Sequence, residues 1–189
     1  MKGVETANFN IHEFTRTIGR KSALSVLTIH ILRKLKLNSN TSLNETLLGN
    51  FLAQVFKGYR REVEYHNDIH AADVLQMTYM MMTTGGLCDL ADLNELDILS
   101  SVIAAVCHDY DHDGLNNAYH INAISERAIR YSDRAVQENY HVAESFAILS
   151  KPEFNFMAKF SRDDFKTFRK RVIGIILATD MARHVSDLA

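Results

Sequence analysis

The 189 residues carry a formal charge of −2 and are 47% apolar and 23% charged, the composition of one globular domain with a sizeable core. Lys and Arg (21) nearly balance Asp and Glu (23), so no basic field speaks for nucleic-acid binding, and two cysteines, Cys88 and Cys107, are too few for a disulfide framework. No run approaches the roughly 20 apolar residues of a membrane span and the first residues lack a signal peptide's apolar core, so a soluble cytoplasmic protein in a reducing compartment is expected.

One proline and eight glycines leave few breakers, and apolar residues recur at helical rather than alternating spacing. The predicted fold class is therefore all-α, a compact multi-helix domain without repeats or a second domain. Phe9, Ile11, Phe14 and Ile18 suggest a short helix laid over the core. Leu24, Leu27, Ile31 and Leu35 predict a helix over 22–37, stopped by Asn38-Ser-Asn-Thr41. Ser42-Leu-Asn-Glu45 fits a capping box for the next helix, with Leu43, Leu47, Phe51, Val55 and Tyr59 on its buried face. His12 and His30 have no polar companions at ligand spacing and read as structural or exposed.

The run Tyr65-His-Asn-Asp-Ile-His-Ala-Ala-Asp-Val74 opens a helix reaching about Thr84, before Gly85-Gly86. His66 and His70 lie four apart, so both can project from one face of its first turn, a spacing that suits metal ligation but also arises by chance. Met77, Met80, Met81 and Met82 read as adaptable core packing. Residues 93–107 are apolar on nearly every side, which places them in the core. Directly after them, His108-Asp-Tyr-Asp-His-Asp113 holds two histidines and three aspartates in six positions. His108 and Asp109 thus emerge at the inner end of a buried rod, where an unpaired charge costs several kcal/mol. A hydrogen-bonded His-Asp pair would satisfy them; so would a divalent cation.

Further on, residues 116–131 read as one helix containing His120. The helix from Ser132 to about Ser150 puts Glu138 and His141 on a shared face, paired with each other or facing a site. A long last helix starts at Ser161 and runs into Thr179-Asp-Met-Ala-Arg-His184. Phe165, Phe168, Val172, Ile176 and Thr179 mark its buried side; Asp163, Lys166, Arg169, Lys170 and Arg171 mark its solvated side.

Taken in order, His66-Asn-x-x-His70, His108-Asp109-x-x-His112-x-Gly114-x-x-Asn117-x-Tyr119, Ser132-Asp133-Arg134 with Glu138-Asn139, and Thr179-Asp180-Met181-x-x-His184 form a specific pattern. It resembles the class I cyclic nucleotide phosphodiesterases of the HD-domain superfamily, from about Phe9 onward, and among subclasses looks nearest the calmodulin-stimulated one. The resemblance implies an HD-type metallohydrolase fold and hydrolysis of cyclic AMP or cyclic GMP to a 5′-monophosphate. It also implies two divalent ions, zinc at the tighter site and magnesium or manganese at the second, sharing a bridging hydroxide. A bound cation offsets phosphate charge and lowers the pKa of water from ~15.7 towards ~7, while the departing 3′ alkoxide needs a proton. By resemblance, His70, His108 and Asp109 match the first ion's ligands, Asp109 also bridging to the second. His66 matches the general acid, His112, Glu138 and Thr179 match residues holding waters on the second ion, and Tyr65 matches a pocket residue.

Gln137 and Tyr140 stand where the family more often has Leu and His, and Asp113 where Pro is frequent. The family's remaining ligand, in an Ala-Asp-x-Ser-Asn motif, its purine-binding glutamine and its aromatic clamp have no counterpart before Ala189. Residues 1–189 are thus expected to be the N-terminal part of a catalytic domain, with any regulatory partner or domain outside them. Apolar faces around Val106 and Ile176 are expected to meet water, leading to loose folding or self-association and to poor hydrolysis by the chain alone. Two other readings stay open: an HD phosphohydrolase of linear nucleotides, which would need a basic triphosphate-binding cluster not seen here, and a helical module without catalysis.

Overall fold

Short polar side chains set most of the helix starts. Asn10, Asn44, Asn67, Asn94, Asn116, Ser125 and Ser161 each accept a backbone N–H from the first turn, satisfying donors that a helix leaves unpaired. At Asn94 the cap is reciprocal, with the Asp97 carboxylate accepting the Asn94 N–H. In the computed structural model, which describes residues 3–37 and 43–182, the result is all-α. The helices are α1 (Ile11–Ile18), α2 (Arg20–Lys34), α3 (Glu45–Gly58), α4 (Asp68–Met82), α5 (Leu87–Leu90), α6 (Glu95–Cys107), α7 (Asn117–Asn122), α8 (Glu126–Tyr131), α9 (Val136–Leu149) and α10 (Arg162–Leu177).

The apolar helix α6 is the central strut, flanked by α10 and α4; α2 covers α4 and α3, and α9 joins α10 to α8. Val102, Ala104, Val106 and Cys107 are fully buried, as sequence periodicity requires of a helix apolar all round. Phe51, Phe156 and Phe168 close the far side, with Phe156 meeting the other two rings edge-on at 5.2 and 6.2 Å. Among the described residues no helix is long and apolar enough to cross a membrane.

Several expectations are corrected. Helix α3 is capped by Asn44 rather than opened by a box at Ser42, which lies outside the described residues, and Leu48 and Leu52 join Phe51 and Val55 on its buried face. Of the methionine run only Met82 is buried; Met77 and Met81 face outward, because α4 turns that stripe away from α6. Residues 116–131 form two helices, broken where Ile124 adopts a left-handed φ of 49° and Ser125 recaps the chain. Helix α9 starts four residues later than Ser132, after left-handed turns at Ser132, Asp133 and Ala135. Helix α10 ends at Leu177, so Thr179 is exposed rather than on a buried face, and His184 lies outside the described residues. Its supposed solvated face is partly engaged: Arg171 pairs with Asp97 at 2.7 Å and Arg169 lies 4.3 Å over the Phe146 ring. Val106 and Ile176 are fully buried, because α6 and α10 pack on each other within the chain.

The end of α3 also fixes the loop after α6. A Cβ on Gly58 would overlap the Tyr110 ring, whose edge-on neighbour is Tyr59, and the Tyr59 hydroxyl donates to the Val106 carbonyl at 2.9 Å. Gly58→Ala is therefore expected to destabilise the fold by about 1–3 kcal/mol through overpacking. An unchanged midpoint in denaturant would contradict this contact.

Candidate metal centre

The C-terminal end of α6 delivers the site. His108 caps α6 and, with Asp109, is buried at the inner end of the helix, as the run of apolar residues before them predicts. The Nδ1 of His108 donates to the Ala105 carbonyl at 2.9 Å, so in the neutral ring its Nε2 carries a lone pair into the site. From the facing side α4 supplies His70. His66 stands one residue before the Asn67 cap, in the turn leading into α4 rather than on its first turn, because Asn67 opens the helix between the two histidines. That turn is anchored from behind, where Arg20 grips the buried Asp68 carboxylate with three hydrogen bonds of 2.6–3.1 Å.

His70 Nε2, His108 Nε2 and Asp109 Oδ2 form a triangle with edges of 3.2, 3.4 and 3.2 Å. Ligands of a tetrahedral cation with 2.0–2.1 Å bonds stand about 3.3–3.4 Å apart, whereas an octahedral ion of that bond length needs about 3.0 Å. The triangle thus has the dimensions of one face of a zinc-like tetrahedron. The Asp109 Oδ2 is buried and makes no aligned hydrogen bond, with His108 Nε2 at 3.2 Å; a proton on His108, whose affinity for it Asp109 raises, or a cation in its place would satisfy the carboxylate. A second set, Asp109, His112 and His141, also brings its ligand atoms within 4.8 Å of one another, with Asp109 common to both.

The two histidines of that second set present opposite faces. His141 donates from Nδ1 to the Tyr110 carbonyl at 2.6 Å, leaving a lone pair on Nε2. His112 instead accepts the Gly114 N–H on Nδ1 at 2.9 Å, so its neutral ring carries the proton on Nε2. His112 is therefore built as a donor to an oxygen rather than as an Nε2 ligand. Its ring stacks on His66, centroids 4.0 Å apart and planes 14° apart.

Burial dominates the electrostatics. It depresses His70, aided by His108, lowers His112 to about 4, aided by His66, and lowers His141 to about 3. Burial alone would raise Asp109, but the His108 imidazole beside it prevails and holds the carboxyl below the usual range. Glu138 is raised by burial, against the Asn117 amide that donates to it at 2.9 Å. Histidines kept neutral when folded bind fewer protons than the unfolded chain between pH about 6.5 and their depressed values. Their contribution to stability is full above pH 6.5 and is lost as pH falls towards 4 and then 3, at about 1.4 kcal/mol per unit of pKa displacement. In the presence of a chelator the thermal midpoint should fall steadily below pH 6.5; a flat profile down to pH 4.5 would contradict the burial of these rings.

A cleft of about 710 Å³ opens over these groups. It is lined by His66, His70, His108, Asp109, His112, Glu138 and Thr179, which are the sequence-predicted residues other than Tyr65, and also by Asn117, His141 and Asp180. Tyr65 is largely exposed at the outer edge, its ring 4.5 Å from that of His70. Thr179 reaches the cleft from the turn after α10, its hydroxyl donating to the Ile176 carbonyl. His141 was legible only as a face shared with Glu138, and Asp180 only as part of the Thr179-Asp180-Met181 motif, with no role assigned to it. Asp111 and Asp113 are half-buried and bonded to Arg60, Arg127, Tyr140, Gln137 and His120.

Two overlapping groups that could hold a cation, His70 with His108 and Asp109 and, sharing Asp109, His112 with His141, lie together in an all-α bundle. Residues 65–189 match the family model described as 3′5′-cyclic nucleotide phosphodiesterase, and the chain belongs to that family. It is 43% identical over 156 residues, 82% of its length, to the high affinity cGMP-specific 3′,5′-cyclic phosphodiesterase 9A of Pan troglodytes. Across all 189 residues it is 34% identical to the dual specificity calcium/calmodulin-dependent 3′,5′-cyclic nucleotide phosphodiesterase 1B of Bos taurus. The phosphodiesterase domain of Salpingoeca rosetta rhodopsin phosphodiesterase superposes with a TM-score of 0.83 at 31% identity, covering 97% of the chain. The chain spans 26% and 35% of the two curated relatives and 58% of that solved domain.

Proposed function

We propose that residues 1–189 carry the cation-binding part of a site that hydrolyses 3′,5′-cyclic nucleotides to 5′-monophosphates. The observation that carries this reading is the triangle of His70, His108 and Asp109, sized for a tetrahedral ion and closed by a buried carboxylate oxygen without an aligned hydrogen bond. Zinc suits this nitrogen-rich set, and magnesium or manganese suits a second, more hydrated position next to Asp109. When bound, such ions neutralise the phosphate and activate water for in-line attack.

The chain's own residues do the rest. Asp109, offering oxygen to both sets, ties the two positions together. His112, with its proton on Nε2, orients a water or a phosphate oxygen by donation, and Glu138 accepts from the water shell while Asn117 holds it in place. Thr179 and Tyr65 border the shell and the cleft mouth. His66, stacked on His112, delivers the proton that the 3′ oxygen needs as its bond to phosphorus breaks.

The cleft lining contains no lysine or arginine among the described residues, which fits a singly charged phosphodiester better than a triphosphate. Incubating the chain with zinc and magnesium, and separately with cyclic AMP, cyclic GMP and a deoxynucleoside triphosphate, tests the reading. Metal binding with weak, chelator-sensitive formation of a 5′-monophosphate from a cyclic nucleotide, well below that of a complete catalytic domain, is expected. A preference for the triphosphate, or failure to bind either metal, would overturn it.

A further inference from the structure

Behind the metal-facing side of the loop 108–114 lies a second polar cluster that no step above uses, and its hub is Arg127 on α8. The guanidinium is almost wholly buried, its side chain 13% exposed. Its Nη1 donates to Gln137 Oε1 at 2.5 Å and lies 3.3 Å from Asp113 Oδ2. Its Nη2 donates to the Asp111 carbonyl at 3.2 Å and lies 3.5 Å from Asp111 Oδ2. The plane stacks on the Tyr140 ring, 3.6 Å from Cζ to centroid, and the Tyr140 hydroxyl donates to Asp111 Oδ2 at 2.6 Å. Gln137 completes the ring by donating to Asp113 Oδ1 and the Leu115 carbonyl, both at 2.8 Å. Asp113, Gln137 and Tyr140, the three departures from the family pattern noted in the sequence, therefore meet at one cation.

We propose that Arg127 is a positioning residue for the metal centre, acting through the backbone of the loop that carries Asp109 and His112; the proposal rests on the cation-binding reading above. Asp111 lies between those two residues with a left-handed φ of 56°, a region that aspartate tolerates better than most residues and that its partners here hold in place. Arg127 supplies that constraint at the Asp111 carbonyl, at its carboxylate and at Asp113. Arg60, at 2.6 Å, holds only the other oxygen of Asp111. The same stretch contains the Tyr110 carbonyl and the Gly114 N–H, which set the tautomers of His141 and His112. Without Arg127, two half-buried carboxylates lose their shared cation, the Asp111 carbonyl loses its donor, and the loop relaxes away from the geometry that aims both histidines. A planar fork stacked on an aromatic ring does this; a lysine ammonium, one point charge without a plane, does not.

The test compares the chain with Arg127→Leu, Arg127→Lys and, as a control, Arg171→Leu, which removes a partly buried arginine–aspartate pair between α10 and α6. Two readouts are taken on samples whose helicity shows them folded. Long-range proton–nitrogen NMR with chelator present reports the ring tautomers, and titration with cobalt(II), followed by its visible absorption, reports affinity and coordination. Arg127→Leu should replace the distinct His112 and His141 tautomers by mixed populations and weaken cobalt binding by about tenfold or more, the range for loss of an outer partner of a metal ligand. Arg127→Lys should move the same way, and Arg171→Leu should alter neither readout. The proposal is overturned if tautomers or affinity stay at wild-type values in Arg127→Leu, or if Arg171→Leu shifts them equally. Should Arg127→Leu fail to fold, Arg127→Lys decides by the same criteria. A wild-type chain that binds no cobalt would overturn the cation-binding reading instead, and the tautomers alone would then decide the role of Arg127.

Discussion

Asp109→Asn is expected to remove both divalent cations and to cost on the order of 10³-fold or more in cyclic nucleotide hydrolysis, the scale of several kcal/mol of lost charge stabilisation. The physical reason is that one carboxylate serves two sets. Asp109 Oδ2 lies 3.4 Å from His70 Nε2 and 3.2 Å from His108 Nε2, and the same residue completes the set with His112 and His141. An amide in its place keeps the shape but loses the negative charge, so two cations would share a cavity lined by neutral imidazoles. Asp111→Asn and Asp113→Asn should behave differently. Their carboxylates bind arginine, tyrosine and glutamine, so their loss shows first as reduced stability, and their effect on metal affinity stays within the roughly 10- to 100-fold of an indirect partner. Metal content by mass spectrometry and hydrolysis on folded variants would check this. Equal losses for all three would mean that Asp109 has no special place.

In a complete catalytic domain containing these residues, His66→Ala is expected to retain metal with a rate lower by about 10²- to 10⁴-fold, the usual contribution of a positioned general acid. His66 belongs to neither of the two ligand sets and lies before α4, its ring stacked on His112 and 5.9 Å from that of His70. A donor placed beside the cations, but outside them, can protonate a leaving alkoxide without disturbing their charge. The leaving group supplies the discriminating measurement. A phosphodiester of nitrophenol departs as a stable phenolate and needs no proton, so His66→Ala should slow it far less than a cyclic nucleotide. Equal slowing of both substrates, or a fall in metal content, would remove His66 from the role of acid.

The helical class and the central helix were legible in the chain because burial on every side leaves a continuous apolar run, as in residues 95–107, and because polar residues at Asn116 and Ser161 mark helix starts. The bearing of His66, His70, His108 and Asp109 on one site was legible only through the order of motifs that resembles the family, since each run by itself also fits a structural reading. The broken helix at Ile124 was not legible, because local propensity carries no mark of a left-handed residue imposed by tertiary packing. Nor was it legible that residues 1–189 by themselves cover the faces around Val106 and Ile176, which depends on α6 and α10 meeting each other.

What the sequence by itself determined is therefore the set of chemical groups and the helices that carry them. What only the tertiary structure decided is their mutual geometry. It closed three ligand atoms from two helix ends to a 3.2–3.4 Å triangle and set the His112 and His141 tautomers through the Gly114 N–H and the Tyr110 carbonyl. It also turned Asp111 and Asp113 inward onto Arg127. Helical spacing relates residues along one helix; distances between separate helices and loops follow from packing, where burial leaves each polar group only the partners that the fold brings to it.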